Sequence, residues 1–185
     1  KLNASTRIGL IGYSGGAIGT TWAAALAPTY APDVNKILNG AAAGGILVNP
    51  AHNLRYVEGS LVWAGVFPMA MVGVGRAYNV DMKPYLNARG KQITAGMQNA
   101  HISNVLGQYP GLTWKDIANP KYVDPNSSKV MLETFAKVNL GSRGTPTTPL
   151  YFGQGTGGEM EGTLGNKPGI GPGDGVMIAG DVRTL

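Results

Sequence analysis

The 185-residue chain contains no cysteine. That excludes a disulfide framework, a zinc site built on thiolates and a thiol nucleophile. Charge is scarce too, at 14% of residues, and the net +5 is scattered rather than gathered into runs. No nucleic-acid partner is therefore expected, and the excess of cations at most favours an anionic interface slightly. Histidine is nearly missing, with only His52 and His101. An uncharged stretch at residues 59–75 is shorter than the about 20 apolar residues a membrane span needs, and Pro68 interrupts it. It reads as a buried or lipid-contacting helix instead.

What the chain holds in quantity is small residues: Gly 29 and Pro 12, beside 43% hydrophobic residues. Such a composition describes close backbone packing and many turns, not disorder. The length suits one domain or somewhat more. Lys1-Leu2-Asn3 leads almost directly into an apolar strand, with no signal-peptide pattern, which predicts a segment of a longer polypeptide. Asn3-Ala4-Ser5 and Asn126-Ser127-Ser128 match the glycosylation sequon, a short pattern that matters only in a eukaryotic secreted protein.

Residues 6–28 organise the rest. Ile8-Gly9-Leu10-Ile11 reads as a strand, Gly12-Tyr13-Ser14-Gly15-Gly16 as a tight turn, and residues 17–27 as a small-residue helix stopped by Pro28. This is the G-x-S-x-G nucleophile elbow in its required context, strand before and helix after. Gly12 and Gly16 are expected where strand and helix pass too close for side chains. Ile18, Trp22 and Ala25, at i, i+4 and i+7, would lay one helix face on the sheet. Ser14 then stands above the carboxyl ends of the strands, and the Gly15 N–H points at the same space from the helix N-terminus. Tyr13, beside the serine, is a candidate substrate contact.

A second parallel strand is expected at residues 37–40, with an Ala/Gly tail running close to the serine loop. Residues 46–141 then turn helical, with apolar positions Leu86, Ile93, Met97 and Val105, a break near Arg89-Gly90, and a helix carrying Met131, Phe135 and Val138 after an Asp124-Pro125 start. The sheet resumes at residues 148–153. The organisation read from this pattern is an α/β parallel sheet with a large helical cap: residues 1–48 as core with the elbow, 49–141 as cap, and 142–185 as core with the acid loop. Trp63, Phe67 and Met69, on the uncharged run, would line an acyl tunnel, meet a lipid surface, or simply pack the core.

A serine needs a base, and the base an acid to hold it. Asp174, in a glycine-flanked loop after the third strand, suits the acid, with Asp181, Glu159 and Glu161 as rivals. His52 and His101 fall in the cap and read as surface or capping residues. The catalytic histidine is expected outside this chain.

Several segments now converge: Gly12-Tyr13-Ser14-Gly15-Gly16-Ala17, Ala27-Pro28-Thr29-Tyr30-Ala31-Pro32-Asp33, Gly44-Gly45, Leu86-Asn87-Ala88-Arg89-Gly90, and Leu150-Tyr151-Phe152-Gly153-Gln154-Gly155 leading to Asp174-Gly175-Val176. Together they make the chain resemble the middle and later part of the secretory lipase family of α/β-hydrolases. The resemblance implies a secreted serine ester hydrolase, a lipase or esterase in lipid degradation, without metal or cofactor. It implies Ser14 as nucleophile, Gly15 as one oxyanion donor and Asp174 as triad acid. Further polypeptide would supply the earlier strands and the histidine, so this chain alone should be inactive. A serine peptidase or acyltransferase, or a non-catalytic lipid-binding fragment, are the alternatives.

Overall fold

The computed structural model describes residues 3, 5–155, 179–183 and 185. Three parallel strands, β1 (Ile8–Tyr13), β2 (Leu38–Gly44) and β3 (Leu150–Gly153), pair in the order β1-β2-β3. Helix α1 (Gly15–Tyr30) joins β1 to β2 and packs against both strands. The short α2 (Pro32–Asn35) turns the chain back into the sheet.

Strand β2 is longer than expected, because the Ala/Gly tail stays in the ladder: Gly12 sits opposite Ala43 and Tyr13 opposite Gly44. Side chains this small let α1 lie close, so Ala17 and Ala43 are buried together with Ile46 and Val48. The face of α1 turned to the sheet is therefore made of Ala17, Thr20, Thr21 and Ala24, all buried. Ile18 and Trp22, expected to lie on the sheet, are only partly buried and line a cavity described below. Nor does Pro28 end the helix; α1 runs on to Tyr30, and the Ala31 N–H closes onto the Ala27 carbonyl at 3.1 Å. In the last turn a proline deletes one hydrogen bond, and its neighbours hold the turn.

Between β2 and β3 the chain is helical: α3 (Pro50–Val57), α4 (Val66–Tyr78), α5 (Ala88–Gly96), α6 (Trp114–Ile117) and α7 (Lys129–Ala136), with short 3₁₀ turns between them. These elements bury their own core, in which Met71, Leu86, Val105 and Ile117 are almost wholly enclosed. Helix α5 runs through Arg89-Gly90 instead of breaking there, because Asn87 caps it by accepting from the Gly90 N–H, and Gly90 lets the helix approach the Ile117 carbonyl. The Asp124-Pro125 pair starts only a 3₁₀ turn; α7 begins later, capped by Ser128 accepting from the Met131 N–H. No helix among the described residues is long and apolar enough to cross a membrane. The last element, α8 (Ala179–Val182), places Val182 against the core beneath the sheet.

The sheet is unequally covered. On the side away from α1, Ile11, Ala42 and Tyr151 form one row across the three strands, with Ile11 87% and Tyr151 72% exposed. Among the described residues β1 is an edge strand, paired only with β2.

Candidate active site

The turn from β1 into α1 is held from two sides. The Ser14 N–H donates to the Gly44 carbonyl at 2.9 Å, tying the elbow to the end of β2, and the Ile18 N–H donates back to the Ser14 carbonyl at 3.2 Å. This pins Ser14 at φ 52°, ψ −115°, in the left-handed half of backbone space that a non-glycine residue seldom enters. Such strain of roughly 1–3 kcal/mol persists only where the surroundings over-determine it, and it is characteristic of functional sites. The Ser14 hydroxyl caps no amide of α1 and has no hydrogen-bond partner among the described residues. Gly15 is exposed in the first turn of α1, where backbone N–H groups lack intrahelical acceptors.

Gly12 explains how strand and helix come so close. A Cβ there would strike the Gly16 carbonyl and the Thr20 hydroxyl, whereas one on Gly16 would meet nothing within 4 Å. The expected steric need at both glycines thus holds for Gly12 alone: Gly16 contributes its backbone to the contact, and its missing side chain would face open space. Gly12→Ala should cost about 3 kcal/mol or more, because the colliding atoms are backbone. Gly16→Ala should be neutral or stabilising by up to about 1 kcal/mol through helix propensity. Denaturant unfolding of the two variants checks this directly.

Ser14 and Gly15 open onto an apolar cavity of about 480 Å³ between α1, α3, α4 and α7. Ile18, Trp22, Trp63, Val66, Ala70 and Phe135 are among its walls. Of the four residues expected to bind substrate, the structure brings Trp63 to this space. Phe67 is buried in the helical core and faces a different cavity, and Met69 is partly buried against the same core. Tyr13 is 60% exposed at the end of β1, its ring lying beside Gly44. The wall residues that sequence reasoning misses, Ile18 and Trp22 above all, carry a signal in their i, i+4 spacing, which hydropathy alone directs to the sheet instead.

The Trp63 indole Nε1 is buried with no partner among the described residues. Leaving such a donor unpaired costs about 1–3 kcal/mol. Trp63→Phe, which removes the donor and keeps an aromatic ring, should therefore stay within about 1 kcal/mol of the parent stability, against the about 3–5 kcal/mol usual for truncating a buried aromatic residue to alanine. A thermal melt well below the parent's would show that the indole contributes more, through its packing or its N–H, than an unpaired donor allows.

Neither histidine lines the serine cavity. His101 accepts from or donates to the Ser103 hydroxyl at 2.7 Å and sits at the head of a 3₁₀ turn. The His52 Nδ1 lies 3.0 Å from both carboxylate oxygens of Asp181, joining α3 to α8 in a partly exposed pair. Asp174, Glu159 and Glu161 lie outside the described residues.

The family model for secretory lipases matches residues 1–164. Lipase 6 of Candida albicans is 39% identical over 84% of this chain and 35% of its own length, and a secreted triacylglycerol lipase of Malassezia furfur is 28% identical over 82% of this chain and 32% of its own. The crystal structure of Candida antarctica lipase A superposes with a TM-score of 0.70 at 20% identity, covering 90% of this chain and 39% of that one. The chain thus spans about a third of the length of these relatives. Its fold is that of the lipase A α/β-hydrolases, with the three-stranded parallel sheet and its helices forming part of that larger architecture. The chain belongs to the secretory lipase family.

Proposed function

We propose that the chain carries the nucleophile of a secreted serine carboxylic-ester hydrolase acting on esters with bulky or long acyl groups. The observation that carries this reading is the strained Ser14, its hydroxyl without a partner among the described residues, at the mouth of an apolar cavity of about 480 Å³. A pocket of this size, lined by apolar and aromatic side chains with a few polar groups at one end, suits an acyl chain with its carbonyl at the serine. Ser14 Oγ attacks the carbonyl carbon and forms the tetrahedral intermediate. Its proton passes to a histidine, which returns it to the leaving alcohol. The Gly15 N–H, at the positive end of α1, donates to the oxyanion; one such donor is worth about 100- to 1000-fold in rate. Water then releases the acid by the same route. Residues 49–141 act as the cap, and Trp63 forms part of the acyl wall.

The histidine and the earlier strands belong, in this reading, to further polypeptide. Parallel sheets are covered on both faces, and the Ile11, Ala42 and Tyr151 row together with the edge of β1, unpaired among the described residues, is the surface such polypeptide would cover. Asp174 holds the histidine. The complete protein, tested on nitrophenyl esters, triglycerides and amides, should hydrolyse esters of medium or long chains and leave amides intact. Amide cleavage at a comparable rate would favour a peptidase, acyl transfer to alcohols over water an acyltransferase, and inertness toward all three a non-catalytic lipid-binding role.

A further inference from the structure

A second cavity, of about 580 Å³, lies on the far side of Leu54 and Phe135, which wall both it and the serine cavity. Its floor is apolar. Phe67 and Trp114 meet edge to face there, ring centroids 5.6 Å apart at 80°. The polar groups of that floor are already used: the Trp114 amide donates to Glu58 Oε2 at 2.7 Å, and its indole Nε1 donates to the Tyr122 carbonyl at 2.8 Å. A ligand can therefore find only apolar contact at depth, and its polar end must stay at the rim.

Two cations stand at the rim. Arg55 and Lys115 are both exposed on the lining, and neither forms an ion pair among the described residues. Arg55 donates to the Asn126 side chain at 3.3 Å and to the Ala51 carbonyl, both neutral acceptors. Glu58, the acid of the lining, has one oxygen on the Trp114 amide, and Asp116, outside the lining, accepts from the amide and the hydroxyl of Thr113 and also feels the charge of Lys115, so the lining itself carries two cations to one carboxylate. Val123 and Leu132, 42% and 41% exposed, form apolar lips that leave the space open to solvent.

We infer that this cavity, between α3, α6 and α7, is a second ligand site, for a long-chain carboxylate held by its tail against Phe67 and Trp114 and by its head at Arg55 and Lys115. Neutral lipids would gain nothing from the two cations, and a small anion would gain nothing from the floor. The inference goes beyond ester hydrolysis and does not depend on it, since binding alone is at issue.

The test uses the complete protein carrying Ser14→Ala, so that turnover plays no part, titrated with 12-bromododecanoate, whose bromine quenches nearby indoles. Trp114 lies at the second cavity, whereas Trp22 and Trp63 lie at the serine cavity. A saturable quenching phase should be present, should vanish with Trp114→Phe, and should shift about tenfold to weaker binding with Arg55→Gln and Lys115→Gln combined, while uncharged 12-bromododecanol shows no such shift. Leu132→Glu, at an exposed lip where a charge leaves folding intact, should abolish the same phase without lowering the melting temperature. Quenching unchanged by Trp114→Phe, equal affinity for acid and alcohol, indifference to the two glutamines, or no saturable phase at all would each overturn the site.

Discussion

Ser14→Ala should lower ester hydrolysis by the complete protein by on the order of 10⁶ in kcat, the effect seen when a serine hydrolase loses its nucleophile, with the residual rate coming from binding and the oxyanion site. The same change should leave stability within about 0.5 kcal/mol, as is usual for a substitution that removes no buried contact. Ser14 is partly exposed, and its hydroxyl caps nothing and has no partner among the described residues. What holds the elbow is backbone, the Ser14 N–H to the Gly44 carbonyl and the Gly12 approach to Gly16, and alanine keeps both. Activity and stability are therefore expected to separate cleanly. Parallel loss of both would mean that Ser14 is a structural residue; an intact rate would remove it from the chemistry.

The second large effect distinguishes two aspartates. Asp174→Asn should reduce kcat by about 10³- to 10⁴-fold with little change in KM, as expected when the base loses the group that fixes its tautomer and stabilises its charged form. Asp181→Asn should leave kcat within about twofold of the parent and cost less than about 1 kcal/mol, since Asp181 is engaged with a half-exposed His52 that does not line the serine cavity. Were the two results exchanged, Asp181 would be the acid and the His52 contact a resting arrangement. Steady-state kinetics on one soluble nitrophenyl ester decides between them.

How much of this could be read from residues alone depends on the range of the interactions. The elbow was legible because its determinants lie within a few residues of each other: an apolar strand, glycine before the serine, a helix after it. Leu86, Ile93, Met97 and Val105 were legible as the apolar positions of the helical segment, and all four are buried. The packing face of α1 was not. Reading by hydropathy favours Ile18 and Trp22, whereas a strand built of Gly and Ala accepts only small partners, so Ala17, Thr20, Thr21 and Ala24 took the sheet and the bulky residues were left for the cavity. The cavity itself was out of reach of any local pattern, since its walls come from residues as far apart as Ser14 and Val138. Phe67 shows the same limit: correctly apolar, correctly helical, but turned to the other side of Leu54 and Phe135.

The central claim is that Ser14 is an activated nucleophile, and covalent labelling tests it most directly. The complete protein, treated with a fluorophosphonate and digested for mass spectrometry, should carry one adduct, on the peptide containing Gly12-Tyr13-Ser14-Gly15-Gly16, and Ser14→Ala should carry none. An unlabelled native protein, or an adduct on any other serine, would contradict it.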